Sequence, residues 1–124
     1  MNIQFLHHVN VVVQDLDEAS RFYTEVLGLQ VRSDRPDTLG RGVWLDLGAH
    51  CRVSLVEGDP IKLPEVYHFA LVIEDIDKAL AELESNRWPI HVRRDPLLQI
   101  MLQDPSGNWI ELRQPPAAYA ALGG

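Results

Sequence analysis

Cysteine is nearly absent from this chain. Cys51 stands alone among 124 residues, so no disulfide closes within one chain and no thiolate cluster can hold a metal. Basic residues are also few: 11 Lys and Arg against 18 Asp and Glu leave a formal charge of −7. That balance argues against the concentrated basic surface that nucleic-acid phosphates require. The densest basic pair, Arg93-Arg94, is followed at once by Asp95. Apolar runs never approach the roughly 20 residues that cross a bilayer, so no membrane span is expected. The opening MNIQFLHH has no basic stretch followed by an apolar one and does not read as a signal peptide, which makes the cytoplasm the expected compartment.

What is present is enough apolar residue, 46%, to build a core. One compact domain over 1–124 is expected. Within it the chain repeats itself. Residues 8–19, HVNVVVQDLDEA, align without a gap with residues 68–79, HFALVIEDIDKA. The alignment pairs His8 with His68, Asp15 with Asp75, Asp17 with Asp77 and Ala19 with Ala79. Each copy opens with a β-branched and apolar run of strand character and then changes period. Leu16, Ala19, Phe22, Tyr23, Val26 and Leu27 recur at helical spacing, with Asp15 as N-cap, Glu18 completing a capping box and Gly28 as the left-handed stop. The second helix has Asp75 as cap, runs through Ala79, Leu80 and Leu83, and stops before Pro89.

Three short strands are expected after each helix: Leu29–Arg32, Val43–Leu47 and Arg52–Val56, then Ile90–Arg93, Gln99–Gln103 and Trp109–Arg113. Each half is therefore βαβββ. Module one covers about 5–57, a linker 58–65, module two about 66–114, and a tail 115–124. The fold class is α+β: two tandem βαβββ modules forming an open, barrel-like mixed sheet with the helices outside.

Three stretches carry a resemblance: LHHVNVVVQDLDEASRFYTEVLGL at Leu6–Leu29, YHFALVIEDID at Tyr67–Asp77 and LQDPSGNWIEL at Leu102–Leu112. The chain resembles the vicinal-oxygen-chelate superfamily, the glyoxalase/bleomycin resistance protein/extradiol dioxygenase family. The resemblance implies a divalent metal held by His8, His68 and Glu111, from the first strand of each module and the last strand of the chain. Strand alternation agrees, because His8, Asn10 and Val12 share one face while Val9, Val11 and Val13 take the other. Two imidazoles and a carboxylate make a facial triad with open positions, suited to Fe(II) or Mn(II), with Zn, Ni or Co as further candidates.

Glyoxalase I-type members of the family add a fourth ligand, usually Glu, where this chain has Ser54. That departure points away from the glyoxalase I reaction and towards an open three-ligand site. The expected function is a divalent-metal-dependent enzyme on a small metal-chelating substrate, with dioxygenase-like chemistry leading. Fosfomycin-type thiol transfer or glyoxalase/isomerase chemistry is the alternative. A metal-free, bleomycin-resistance-type drug-binding protein is the reading from another class. A small-molecule substrate and a homodimer are the expected partners, with no nucleic acid and no membrane.

Face parity places Asn10, Trp44, Asp46, Arg52 and Ser54 in the substrate pocket on the first module. It places Gln99, Met101, Gln103, Trp109 and Arg113 there on the second. His7, of opposite parity to His8, receives no role. His91 reads either as a base behind the ligands or as an exposed strand residue, and His50 as a surface turn residue. Asp104 reads as structural within the DPSG turn, Cys51 as inert, and Tyr119 as either closing over a pocket or disordered.

Overall fold

The computed structural model of the protein describes residues 1–48 and 51–115. The expectations for His50, Tyr119 and the tail beyond residue 115 lie outside them. The first module runs β1 (His8–Val13), α1 (Leu16–Arg21), β2 (Gln30–Val31), β3 (Gly42–Asp46) and β4 (Arg52–Glu57). The second runs β5 (His68–Val72), α2 (Ile76–Ser85), β6 (Val92–Arg94), β7 (Gln99–Gln103) and β8 (Trp109–Arg113). Each module makes its own four-stranded mixed sheet, in the orders β1-β4-β3-β2 and β5-β8-β7-β6. The first and last strands of each module pair in parallel, and the other neighbours are antiparallel. Each sheet stays open, with β2 and β6 as edge strands, rather than closing into a barrel.

The chain divides into two compact units. One is Met1–Lys62 together with the turn Asp104–Asn108; the other is Leu63–Gln103 with the strand that begins at Trp109. Among the described residues no helix is long and apolar enough to cross a membrane.

Both helices start where the sequence caps them. The Asp15 side chain accepts from the Glu18 N–H, and Asp75 accepts from the N–H groups of Asp77 and Lys78. Gly28 takes the left-handed conformation, with φ 76°. The first helix differs from a plain α-helix. Beyond Arg21 it widens into a π turn at Phe22–Val26, with Leu27 N–H bonded to the Phe22 carbonyl. Two adjacent large rings in this turn, Phe22 and Tyr23, are both buried, at 3% and 0% exposure. They join Val11, Val13, Leu16, Ala19, Leu45, Val53 and Leu55 in the core under the first sheet. A side chain of this kind contributes about 1.5–3 kcal/mol when fully buried.

Two expected strands are shorter than the sequence suggests. Leu29–Arg32 reduces to Gln30–Val31, and Ile90–Arg93 shifts to Val92–Arg94. In the second case pairing begins one hydrogen bond earlier, at His91 N–H to the Met101 carbonyl. It ends at the turn where Leu98 holds a left-handed φ of 49°.

Asp104 organises the DPSGN turn from inside. Its carboxylate is only 3% exposed and accepts from the Ser106 and Asn108 N–H groups, from Asn108 Nδ2, and from the Tyr23 hydroxyl at 2.8 Å. Burial, with the Asp104 charge and hydrogen bond behind it, pushes the Tyr23 phenol well above its ordinary range. Ser106 Oγ accepts from the Gln14 N–H, and Asn108 Nδ2 donates to the Val12 carbonyl.

Candidate functional site

The register of each sheet decides which side chains share a face. In the first module His8 lies opposite Arg52, Asn10 opposite Ser54 and Val12 opposite Val56, while β3 brings Trp44 beside Ser54 and Asp46 beside Arg52. In the second, His68 lies opposite Trp109 and Ala70 opposite Glu111, while β7 brings Met101 beside Glu111, Gln99 beside Arg113 and Gln103 beside Trp109. Asn10 and Ala70 are equivalent in the repeat, so Ser54 stands at the sheet position that Glu111 holds in the second module. A hydroxyl replaces a carboxylate there.

On the second face, Glu111 is the hub. Its side chain is 8% exposed and receives the Gln99 amide, while Arg113 reaches it through Nε at 3.4 Å and Nη2 at 3.5 Å. His68 points Nε2 towards Glu111 Oε1 at 3.9 Å. Its other nitrogen, Nδ1, lies 2.8 Å from the Glu65 carbonyl. A carbonyl only accepts, so Nδ1 carries the proton and, in the neutral ring, Nε2 presents its lone pair. A lone pair and a carboxylate oxygen then face each other at 3.9 Å. The carbonyl bond on the far nitrogen is also the usual support of a metal-ligating histidine. The donor chemistry of this pair fits a divalent ion, while Arg113 is a competing positive charge on the same carboxylate. Trp109 walls the face, with its Nε1 donating to the Leu63 carbonyl and His91 edge-on at 5.0 Å.

His8 belongs to the first unit, and His68 and Glu111 to the second. Among the described residues, no group of three or more His, Cys, Asp or Glu side chains comes together to hold a metal.

The first face contains a cavity of about 440 Å³. Asn10, Trp44, Arg52 and Ser54 line it as parity suggests, along with His8. Asp46 does not, since its carboxylate is drawn to Arg32 at 3.4 Å. Four lining residues lie outside the expected set: His7, Arg35, Leu39 and Val56. His7 corrects the parity argument. It precedes β1, so strand alternation does not govern it, and its Nδ1 sits 2.8 Å from His8 Nδ1. One of the two nitrogens holds the proton and the other accepts it. Arg52 lies over the Trp44 ring at 4.2 Å and reaches His7 Nε2 at 3.5 Å. Val56 was legible from its alternation with Ser54. Nothing local in the loop sequence RPDTLGRG marks Arg35 or Leu39.

Known proteins share this architecture. Antibiotic-binding protein TnmS3 from Streptomyces sp. CB03234 superposes with a TM-score of 0.77 at 30% identity, covering 94% of this chain and 99% of that one. The trypanothione-dependent glyoxalase I of Leishmania major gives a TM-score of 0.71 at 26% identity, covering 90% and 87%. YwbC, an uncharacterized protein of Bacillus subtilis (strain 168), is 25% identical over 121 residues, 88% of this chain and 96% of its own. Paired βαβββ modules, the two strand-opening histidines, the closing carboxylate and a family profile that matches residues 5–112 lead to one assignment: the chain belongs to the Glyoxalase/Bleomycin resistance protein/Dioxygenase superfamily.

Proposed function

We propose that the chain is a divalent-metal-dependent enzyme acting on a small molecule that chelates through two neighbouring oxygens. In this reading His68 and Glu111 are metal ligands and His8 is the third donor. The observation that carries it is the His68–Glu111 pair, with Nε2 aimed at the carboxylate at 3.9 Å and Nδ1 fixed by the Glu65 carbonyl at 2.8 Å. Fe(II) or Mn(II) bound there supplies Lewis-acid stabilisation of charge developing on the substrate oxygens. The chain's own residues orient and shelter. The Glu65 carbonyl fixes the imidazole, the Gln99 amide holds the carboxylate, and fully buried Met101 is its cross-strand neighbour. Oxygen-dependent ring or bond cleavage is the first reaction to assay, and thiol transfer and isomerisation follow it.

The test is metal content by mass spectrometry on protein purified without chelators and reloaded anaerobically, beside Glu111→Ala and His68→Gln. About one Fe or Mn per chain, lost in both variants, is expected. Substoichiometric metal indifferent to both substitutions refutes the reading. The alternative, sequestration of a planar drug without metal, then takes its place. It is favoured by the cavity beside Trp44 and by 30% identity to an antibiotic-binding protein.

A further inference from the structure

The cavity on the first sheet carries a charge pattern at odds with the rest of the molecule. The chain is acidic, at −7, yet among the described residues no Asp or Glu lines this cavity, while Arg35 and Arg52 both do. Neither arginine forms an ion pair among the described residues. Three acids of the same module pair with other arginines: Arg32 holds Asp34 at 2.8 Å and Asp46 at 3.4 Å, and Arg41 holds Glu57 at 3.0 Å. The hydrogen bond from Arg32 keeps the Asp34 carboxyl below the usual carboxylate range, with a lesser contribution from the charge of Arg52.

Both guanidinium groups are held in place. Arg35 donates through Nη1 to the Gly40 carbonyl at 2.7 Å and through Nη2 to the Leu39 carbonyl at 3.3 Å. Its Nε is buried without a hydrogen-bond partner. Gly42 makes the placement possible, since a Cβ there would collide with the Arg35 guanidinium and the Leu55 carbonyl. Arg52 places its Cζ over the Trp44 ring, 4.2 Å from the centroid. A guanidinium over a ring has its face occupied while its in-plane donors point outward, and carboxylate recognition by Arg uses those donors; on Arg52, Nη2 also reaches His7 Nε2 at 3.5 Å. Trp44, Leu39 and Val56 supply apolar surface beside the charges.

From this we infer that the first-module cavity is a binding site for a planar aromatic carboxylate. The anion meets Arg52 and Arg35 and the ring lies along Trp44 and Leu39. About 440 Å³ is within the range of small-ligand sites. As an assignment of substrate class this rests on the enzyme reading above. As a binding site it rests only on residues of the first unit.

Isothermal titration of the intact protein, stripped of metal by a chelator, compares 1-naphthoate with its neutral counterpart 1-naphthamide. Stripping the metal separates the two proposals: loss of metal dependence leaves this result untouched, and the metal-content assay is blind to it. The expected result is naphthoate binding at least about tenfold tighter than naphthamide. In Arg52→Gln that preference falls to within about twofold, while Trp44→Leu weakens both ligands together. Circular dichroism establishes that the variants are folded, and Arg52→Lys, which keeps the charge but not the flat edge, retains part of the preference. Equal binding of the two ligands, binding of neither, or a preference unchanged in Arg52→Gln overturns the inference.

Discussion

Replacing Tyr23 with Phe removes one hydroxyl and nothing else, and the structure allows its effect to be worked out. That hydroxyl is fully buried and donates to an Asp104 carboxylate that is itself 3% exposed. Among the described residues no Arg or Lys forms an ion pair with Asp104, so N–H and O–H donors balance its charge there. A hydrogen bond to a charged group is worth about 1.5–3 kcal/mol. Among the described residues the N–H groups of Ser106 and Asn108 and the Asn108 amide remain as donors in the variant. The loss should therefore sit at the low end, about 1.5–2 kcal/mol, or roughly 6–8 °C in Tm for a domain of this size. Urea unfolding followed by tryptophan fluorescence at neutral pH measures it.

The pH dependence gives a second, independent arm. Burial raises the folded Tyr23 phenol above its unfolded value of 10.0, so the native state keeps a proton that the unfolded state releases. The stabilisation from this group is complete below pH 10.0 and is lost as the pH climbs towards the folded value. The gap between wild type and Tyr23→Phe must narrow above that point. A neutral-pH loss under about 0.5 kcal/mol, or a gap that stays constant to about pH 11, would refute the reasoning.

Two further outcomes follow from contacts already described. Arg113→Met removes the cation at 3.4 Å from Glu111, so Mn(II) affinity by titration calorimetry should rise about three- to tenfold, the half-exposed guanidinium being partly screened. Unchanged or weaker binding would mean that Arg113 does not compete for the carboxylate. Asp75→Ala leaves the Asp77 and Lys78 N–H groups without the capping carboxylate and should lower urea stability by about 1 kcal/mol, whereas Asp75→Asn should lose less than half of that.

The repeat, the caps and the βαβββ succession of each module were legible in the sequence. They depend on local periodicity and on aligned Asp and His residues, which a sequence carries directly. Partners were less legible. Parity put Gln99 and Arg113 on the face of Glu111, but not that both would hold its carboxylate. It also put Asp46 beside Arg52, but could not weigh Arg32, which comes in from the end of β2. His7 was missed because alternation has no force one residue before a strand begins. Tyr23 read as one more apolar helix position, since a π turn and a hydrogen bond to a residue 81 positions away leave no local mark. Arg35 depended on the absence of a side chain at Gly42, a fact visible only once the backbone is closed.

The five residues Asp104–Asn108 belong to the first unit although the chain on both sides of them belongs to the second. During synthesis the ribosome finishes Met1–Lys62 some 40 residues before it makes the turn that completes that unit. Until then the Gln14 N–H lacks Ser106, the Val12 carbonyl lacks Asn108, and the Tyr23 hydroxyl lacks the acceptor it meets in its buried place. A buried hydroxyl without a partner costs about 1–3 kcal/mol, which works against burying that ring early. The duplication visible in the sequence therefore does not mean two halves that can be cut apart at the linker. The amino-terminal half reaches its full set of bonds only when the last hairpin of the carboxy-terminal half emerges.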